Sequence, residues 1–381
     1  MSVLFPTYKR WELEPAYAKG ARMTGENGKE YLDFTSGIGV CNLGHCHEAV
    51  KEQVEAQLDK FWHVSNFFPQ NIQEQAGKLL AEASGMDYVF FANSGAEANE
   101  AAIKLARKAT GRSKIISFKS SFHGRTLGAM AATGQEKVWQ GFGSMPENFV
   151  HLPFNDCERL WEEDGTDTAA VMLEVIQGEG GIHPASEKFL KETEAFCRKN
   201  DALFMVDEIQ TGIGRTGKAF AFQHYGVQPD IITAAKGLGS GFPIGAMAGK
   251  GWLGEAFGPG SHGSTFGGNA IATTAAKATM EIIFNENFLR ETRELGVYLA
   301  QLLKQSLGIL ENVRDIRGIG LMVGIEITEE LSGTLQELRE NGLLALPAGE
   351  NVIRLLPPLN VNKMEIDEAV SLLEMTLKKR A

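Results

Sequence analysis

The sequence predicts an α/β protein with a mostly parallel sheet, followed by a smaller C-terminal α+β region. Short apolar segments alternate with longer segments of helical periodicity, which is typical of β-α-β units. With 381 residues, 43% of them hydrophobic, the chain has enough material for two or three domains and a large core. After about residue 275 the alternation stops, which indicates a second kind of architecture.

Each element follows from a local pattern. Apolar runs predict strands at 88–92, 114–118, 169–174, 202–206 and 231–235, with helices such as 97–109 and 187–199 between them. Residues 27–34 read as a hairpin that precedes the main sheet. Beyond it, we predict a long helical segment at 275–308, strands near 313–318 and 321–326, and a closing helix at 363–379. We therefore divide the chain into an N-terminal segment of the small domain (1–50), a large domain (51–272) and the rest of the small domain (273–381).

Composition excludes several classes of protein. The chain carries 37 Lys+Arg and 48 Asp+Glu, for a net charge of −11, so neither nucleic acid nor an anionic membrane is an expected partner. The four cysteines form no C-x-x-C pair and no disulfide framework. No secretory signal and no membrane-spanning apolar run is visible. We expect a cytoplasmic globular enzyme.

Two motifs have a plainer interpretation than the one they first suggest. Residues 212–217 fit G-x-G-x-x-G and nearly fit a P-loop, but Ala219 follows Lys218 where Mg²⁺ binding needs Ser or Thr. The strand before them comes late in the chain, and no acid lies about 20 residues on, so we interpret them as a loop. His45-Cys46-His47 lacks a second ligand cluster, so no metal site is expected.

The segment after strand 88–92 is a candidate anion site. Ser94 can cap a helix, and Glu97 stands three residues later, as in a capping box. Gly95 and Ala96 leave the first backbone amides of that helix open to an anion such as phosphate. An ordinary capped helix is the alternative.

Two further strands end in reactive side chains. Asp207 and Glu208 follow a buried apolar run, at the sheet edge where ligands bind in open α/β folds. Lys236 ends another apolar run and enters a glycine-rich segment, which predicts a partly desolvated amine with a lowered pKa. The alternatives are a solvated turn for the acids and a surface loop for the lysine.

These three features together match the needs of pyridoxal phosphate. That cofactor requires an anchor for its phosphate, an acid for its pyridinium nitrogen and a lysine that forms a Schiff base. Phe122 is the candidate for stacking on the ring. All of these residues fall at strand ends of one predicted sheet.

The chain also resembles a known family, the class III aminotransferases. The resemblance runs from about residue 5 to the end and rests on residues 94–100, 122–126, 177–181, 207–217, 236–239 and 262–269. It implies the fold type I architecture of pyridoxal-phosphate-dependent transferases, with a large domain, a smaller domain and a homodimeric assembly. It also implies transaminase activity.

The resemblance assigns cofactor-binding roles to individual residues. Gly95 and Ala96, next to Ser94, would bind the phosphate, and Phe122 would stack on the ring. Asp207 would pair with the ring nitrogen, with Glu208 and Ile209 beside it and Gln210 on the ring hydroxyl. Lys236 would bind the cofactor covalently and then move a proton from Cα to C4′. Thr265 would reach the phosphate across the dimer interface.

The resemblance also implies how two different substrates are bound. Arg125 would bind the substrate α-carboxylate, with Ser264 near the substrate. Glu179 would neutralise Arg354 when an amine with no second carboxylate is bound, and would move away for 2-oxoglutarate or glutamate. A structural ion pair is the alternative for Arg354. The amine donor that the resemblance implies is N-acetylornithine. Ornithine, succinylornithine and 4-aminobutyrate are the alternative amine donors. Phe67 and Phe68 depart from the tyrosine found in many relatives.

Overall fold

The N-terminal part of the chain forms a small antiparallel sheet. The computed structural model describes residues 3–380. Its first strands are β1 (Pro15–Lys19), β2 (Arg22–Gly25) and β3 (Glu30–Asp33), joined in that order. The β2–β3 pair is the hairpin that was predicted at 27–34, although it begins earlier in the chain.

Three helical segments connect this sheet to the large domain. They are the one-turn segment α1 (Ser36–Gly39) and the helices α2 (Glu48–Leu58) and α3 (Asn71–Ser84). In α1 the backbone of Ser36, Gly37 and Ile38 has positive φ angles of 45°, 63° and 69°, so the chain turns sharply there. The left-handed region is costly for Ser and Ile, so packing must hold this turn in place.

The middle of the chain builds a seven-stranded sheet in the order β4-β12-β11-β10-β7-β5-β6. Strand β12 is antiparallel to both neighbours, and the other strands all run in one direction. The elements are β4 (Tyr88–Ala92), α4 (Gly95–Thr110), β5 (Lys114–Phe118), α5 (Leu127–Ala132), β6 (Phe149–Leu152), α6 (Cys157–Glu162), β7 (Thr168–Glu174), β8 (Ile176–Gln177), β9 (His183–Pro184), α7 (Glu187–Lys199), β10 (Leu203–Asp207), β11 (Ile231–Ala234) and β12 (Gly245–Gly249).

Central strands of this sheet are apolar along their whole length because helices cover both faces. Every residue of β7 and of β10 is buried. Helix α4 packs an alanine-rich face against the sheet, including Ala98, Ala101 and Ala102. Small side chains allow close approach of helix and sheet, so the N-terminus of α4 is held firmly at the sheet edge.

The C-terminal part forms a second α/β layer. It contains α8 (Ala270–Ile283), α9 (Glu286–Leu307), β13 (Val313–Ile319), β14 (Met322–Ile327), α10 (Leu331–Glu340), β15 (Leu343–Leu344), β16 (Leu346–Ala348), β17 (Val352–Leu355) and α11 (Lys363–Lys378). Strands β13, β14, β17 and β16 form one antiparallel sheet. Strand β15 instead pairs with β3, which ties the two ends of the chain together.

The predicted strands of the large sheet are confirmed, with bounds that agree to within a residue. The helical segment predicted at 275–308 is wrong as a single element, because the structure divides it into α8 and α9. The division has a local cause. Asn285 adopts an extended conformation, and its side chain accepts a hydrogen bond from the Asn287 amide, which caps α9.

Candidate active site

A cavity lies at the carboxyl edge of the large sheet, where β4, β5, β7, β10 and β11 end. We call it the Lys236 cavity; its volume is about 430 Å³. Because these strands point the same way, residues distant in sequence meet at this edge. The predicted site residues that line the cavity are Ser94, Gly95, Ala96, Phe122, Arg125, Glu179, Asp207, Ile209, Gln210 and Lys236.

The N-terminus of α4 forms one wall of the cavity. Ser94 caps the helix as predicted, since its hydroxyl accepts a hydrogen bond from the Glu97 amide at 3.2 Å. The Glu97 carboxylate, however, accepts from the amide of Asn93 rather than from that of Ser94, so the capping box is incomplete. A Cβ on Gly95 would lie 2.8 Å from the Ile209 side chain, so any larger residue would require Ile209 to shift. The helix dipole and the first amides of α4 favour an anion at this point.

Asp207 ends β10 at the bottom of the cavity and is almost fully buried. Its Oδ2 accepts hydrogen bonds from Asn99 Nδ2 at 2.9 Å and from His123 Nδ1 at 2.8 Å. Its Oδ1 accepts from the amide of Ile209 at 3.0 Å. Asn99 in turn accepts a hydrogen bond from Thr233, three residues before Lys236. The carboxylate is therefore held in one orientation by three neighbouring elements.

The charge state of this group follows from its neighbours. Burial lowers the pKa of His123, but its hydrogen bond to Asp207 and the charges of Asp207 and Glu174 outweigh burial, so the pKa is raised. Burial raises the pKa of Glu174 to about 7, with the charge of His123 opposing it. Asn99, His123 and Glu174 were not predicted as site residues. Glu174 ends a buried strand just as Asp207 does, so the same signal could have identified it.

Lys236 follows β11 after one intervening residue, Ala235, and begins a short 3₁₀ turn. Its backbone φ is +46°, in the left-handed region that non-glycine residues rarely adopt. No hydrogen bond or salt bridge joins its amine to another residue within the described part of the chain. Burial, followed by the charge of Arg354, lowers the pKa of Lys236 despite the opposing charges of Glu179 and Asp207. The lowered pKa favours the neutral, nucleophilic form of this amine.

A salt bridge joins the two predicted switch residues. Glu179 Oε1 lies 2.6 Å from Arg354 Nη1, and Gln210 Oε1 accepts a second hydrogen bond from that nitrogen at 3.2 Å. The Arg354 side chain is 3% exposed, whereas that of Glu179 is 32% exposed. Burial raises the pKa of Glu179, but the charge and hydrogen bond of Arg354 outweigh it, so the pKa is lowered. Glu179 is the partner with freedom to move.

The opposite wall carries Phe122 and Arg125. Phe122 is half-buried, and Arg125 is exposed with its guanidinium 5.6 Å from the centre of the Phe122 ring. This distance is within the range of a cation–π contact. An aromatic face and a guanidinium thus stand side by side at the cavity mouth.

Three predicted residues lie elsewhere. The Glu208 carboxylate accepts hydrogen bonds from the Thr211 hydroxyl and the Phe222 amide, away from the cavity. Ser264 and Thr265 lie in a larger depression beside β4, which we call the Thr265 cavity; it has a volume of about 1360 Å³ and also contains Phe67. Their roles in binding cofactor and substrate stay predictions.

Residues 212–217 are buried, whereas His45 and His47 are half-buried and Cys46 is exposed. Gly214 lies against Ile283 and Leu359, so the 212–217 loop contacts the C-terminal layer. His45 Nε2 is 2.7 Å from Asp33 Oδ2 in an ion pair. Between residues 3 and 380, no group of three His, Cys, Asp or Glu side chains is placed to hold a metal. No helix in that range is both long and apolar enough to span a membrane.

The residues present fit pyridoxal phosphate. A helix N-terminus without a Cβ at Gly95 suits a phosphate, and the fixed Asp207 carboxylate suits a protonated ring nitrogen. Lys236 supplies a free amine, and Phe122 supplies a ring face. All four features surround one cavity.

Comparisons with known proteins agree with this geometry. Residues 7–377 match the family described as aminotransferase class-III. The chain is 57% identical over 379 residues to an acetylornithine aminotransferase of Bacillus subtilis (strain 168), covering 99% of this chain and 98% of that protein. Both matches extend over nearly the whole chain and include every residue of the Lys236 cavity.

Solved structures share the fold. An ornithine aminotransferase of Toxoplasma gondii, with partial occupancy of pyridoxal phosphate at its active site, superposes with a TM-score of 0.94 at 31% identity, covering 99% of this chain and 93% of that one. An acetylornithine aminotransferase of Elizabethkingia anophelis gives a TM-score of 0.87 at 30% identity, covering 98% of this chain and 96% of the other. The predicted α/β fold with a mostly parallel sheet is confirmed.

Proposed function

The chain belongs to the class-III aminotransferases, pyridoxal-phosphate-dependent transaminases of fold type I, and from that premise we propose its substrates. It transfers the δ-amino group of N2-acetyl-L-ornithine to 2-oxoglutarate, giving N-acetyl-L-glutamate 5-semialdehyde and L-glutamate. In L-arginine biosynthesis the net direction is the reverse. The observation that carries this choice of amine is the 57% identity, over nearly the whole chain, to a relative that bears the name of this substrate.

The cofactor would be held by residues of the Lys236 cavity. The amides of Gly95 and Ala96, beside Ser94, would bind the phosphate, and Asp207 would keep the ring nitrogen protonated. Phe122 and Ile209 would contact the ring, and Gln210 its hydroxyl group. The side chain of Glu208 supports the turn after β10 through Thr211, so any contribution from it would be indirect.

When bound, pyridoxal phosphate supplies an electron-accepting ring that stabilises negative charge on the carbon bearing the substrate's amine. Lys236 would hold the cofactor and, as a neutral amine, would take the proton from that carbon. Burial lowers the pKa of Lys236, which favours the neutral form it needs. Asp207, fixed by Asn99 and His123, stays in place throughout the proton transfer.

Two substrates of different charge use the same site. Arg125 is exposed at the cavity mouth and is suited to a substrate carboxylate, with Ser264 contributing nearby. Glu179 neutralises Arg354 while N-acetylornithine is bound, because that amine end has no carboxylate of its own. Glutamate does have one, so Glu179 moves out and the carboxylate takes its place on Arg354.

The assembly is a cytoplasmic homodimer in this proposal. Thr265 is exposed and lies outside the Lys236 cavity, which supports a role in binding the phosphate of a second copy. Residues 1–50 and 273–381 form the small domain and 51–272 the large one; the pairing of β3 with β15 supports this division. The net charge of −11 argues against nucleic acid or an anionic membrane as a partner.

A comparison of amine donors tests the proposed substrate. The purified holoenzyme is assayed with 2-oxoglutarate and, in turn, N-acetylornithine, ornithine, succinylornithine and 4-aminobutyrate. We expect the highest kcat/KM with N-acetylornithine. An equal or higher kcat/KM with unacetylated ornithine would contradict the proposed substrate and show that the enzyme prefers another ω-amine.

A further inference from the structure

The buried carboxylate of Glu174 has no part in the roles assigned so far. Glu174 is the last residue of β7, between β10 and β5 in the sheet, and is 6% exposed. It lines the Lys236 cavity. A carboxylate buried at this depth is costly unless its oxygens are occupied.

Its two oxygens bind two different loops. Oε2 accepts a hydrogen bond from the amide of Phe122 at 3.0 Å, and Oε1 accepts from the amide of Gly178 at 3.3 Å. Phe122 belongs to the loop after β5, and Gly178 to the loop after β8. One carboxylate therefore fixes the backbone of both loops relative to the sheet.

Both loops carry side chains of the cavity. The first presents Phe122 and Arg125, and the second presents Glu179 directly after Gly178. Gly178 itself packs closely against the Gln210 side chain, which a Cβ added at this position would overlap. The two segments are also joined at their start, since Gln177, the last residue of β8, donates a hydrogen bond to the carbonyl of Lys119, the first residue after β5, at 2.9 Å.

We propose that Glu174 is a positioning residue that holds the Phe122 loop and the Glu179 loop in one arrangement, so that Glu179 meets Arg354 while the amine donor is bound. This inference rests on the proposed function, because it assigns Glu179 a task in one half of the reaction. Glutamine is not equivalent to glutamate here. Its single oxygen can accept only one of the two amides, and its NH₂ group would face the other donor.

The test measures the two half-reactions separately. Holoenzyme is mixed in a single turnover with N-acetylornithine or with glutamate, and the change in cofactor absorbance gives a rate constant for each. In Glu174→Gln the loosened Phe122 loop slows both half-reactions, but the misplaced Glu179 slows only the first. Both rates are measured at pH 8.5, above the pKa of about 7 of Glu174, so that its carboxylate is charged. We therefore expect the ratio of the N-acetylornithine rate to the glutamate rate to fall about tenfold or more, as loss of a charge-assisted hydrogen bond implies.

Asp230→Asn is the matched control. Asp230 accepts the Phe204 amide at 2.9 Å, at the opposite edge of the same sheet. This variant should change both half-reactions by the same factor. An unchanged ratio in Glu174→Gln, or an equal shift in Asp230→Asn, would overturn the inference.

A second variant keeps the test decisive if Glu174→Gln does not retain the cofactor. Glu174→Asp keeps the charge but is one methylene too short to bind both amides, so a smaller shift of the ratio in the same direction is expected. An unchanged ratio there would count equally against the inference. If the wild type does not react with N-acetylornithine, the proposed function fails, and the same ratio is measured with whichever ω-amine the enzyme accepts.

Discussion

The Lys236 cavity and the Thr265 cavity differ in how much of a site one chain can build. In the first, Asp207 is buried and held by three hydrogen bonds from separate elements. In the second, Thr265 is exposed on a loop, and Phe67 beside it is 95% exposed. One chain therefore holds the polar side chains of the first cavity in fixed positions, whereas the second cavity is open to solvent.

The difference follows from the supporting structure. Parallel strand ends fix side chains through a sheet that is buried on both faces. The Thr265 loop is held by hydrogen bonds from neighbouring side chains. The side-chain amide of Asn66 donates to the carbonyls of Ser264 and Gly267 at 3.2 and 3.0 Å, and that of Gln73 donates to the Gly268 carbonyl at 2.9 Å. This fixes the backbone of the loop but leaves the Thr265 hydroxyl free to bind a group from outside the chain. We expect the residues of the Lys236 cavity to carry out the proton transfer, and those of the Thr265 cavity only to bind the cofactor or the substrate.

The largest effect should come from Asp207→Asn. Loss of the carboxylate removes the charge that would keep the ring nitrogen protonated, and it also removes the anionic partner of His123. We expect kcat to fall about 100- to 1,000-fold, as for other preorganised electrostatic contacts. Steady-state kinetics of the saturated enzyme give the result. Asp230→Asn, at the opposite sheet edge, serves as the control, and equal losses in the two variants would contradict the special role of Asp207.

A smaller effect is expected from Thr265→Ala. Loss of one hydrogen bond to a charged phosphate should weaken cofactor binding about tenfold, with little change in kcat once the cofactor is saturating. Titration of the apoenzyme with pyridoxal phosphate measures this affinity. Thr166→Ala removes an exposed threonine from a loop before β7 and should have no effect. A drop in kcat at saturation would show that the Thr265 cavity takes part in the chemistry.

The smallest effect on the reaction is expected from the ion pair of His45 and Asp33, which lies outside both cavities and contributes to stability. Asp33 also accepts hydrogen bonds from the amides of Thr35 and Ser36 at the turn of α1. The hydrogen bond to Asp33, followed by one to Cys41, raises the pKa of His45 to about 10. Because the folded pKa exceeds the unfolded value, this pair stabilises the fold fully below pH 6.5 and progressively less as the pH rises towards 10.

His45→Gln should therefore lower the free energy of unfolding by about 2 kcal/mol at pH 6, and by much less at pH 9. Denaturant unfolding of the holoenzyme at both pH values measures the difference. A loss that is the same at pH 6 and pH 9 would mean that the ion pair does not contribute through its charge.

The residues of the two cavities also differ in how well the sequence predicts them. Asp207 and Lys236 could be predicted because each follows a buried apolar strand, and such strands give a strong signal. Asn99 could not, because it lies within a helix and only its contacts with Asp207 and Thr233 reveal its role. Thr265 has no local signal at all, since its predicted partner is on another chain.

The fold shows the same limits. Strand β12 (Gly245–Gly249) has no β-branched or aromatic residue, so propensity does not identify it, and its antiparallel direction depends on the whole sheet. The break between α8 and α9 did have a signal in Asn285-Glu286, a capping residue followed by an acid. The local sequence is therefore sufficient to predict the break between α8 and α9, whereas β12 can be identified only from the tertiary structure.

The central claim is that the Lys236 cavity holds the cofactor on the amine of Lys236. Reduction of the holoenzyme with borohydride makes that bond permanent, and mass spectrometry of the digested protein then locates the cofactor. We expect the label on the peptide that contains Lys236, and no visible absorbance of covalently bound cofactor in Lys236→Ala. Lys250→Ala, in which the lost lysine follows β12 at the opposite edge, should keep that absorbance. A label on any other lysine would contradict the claim.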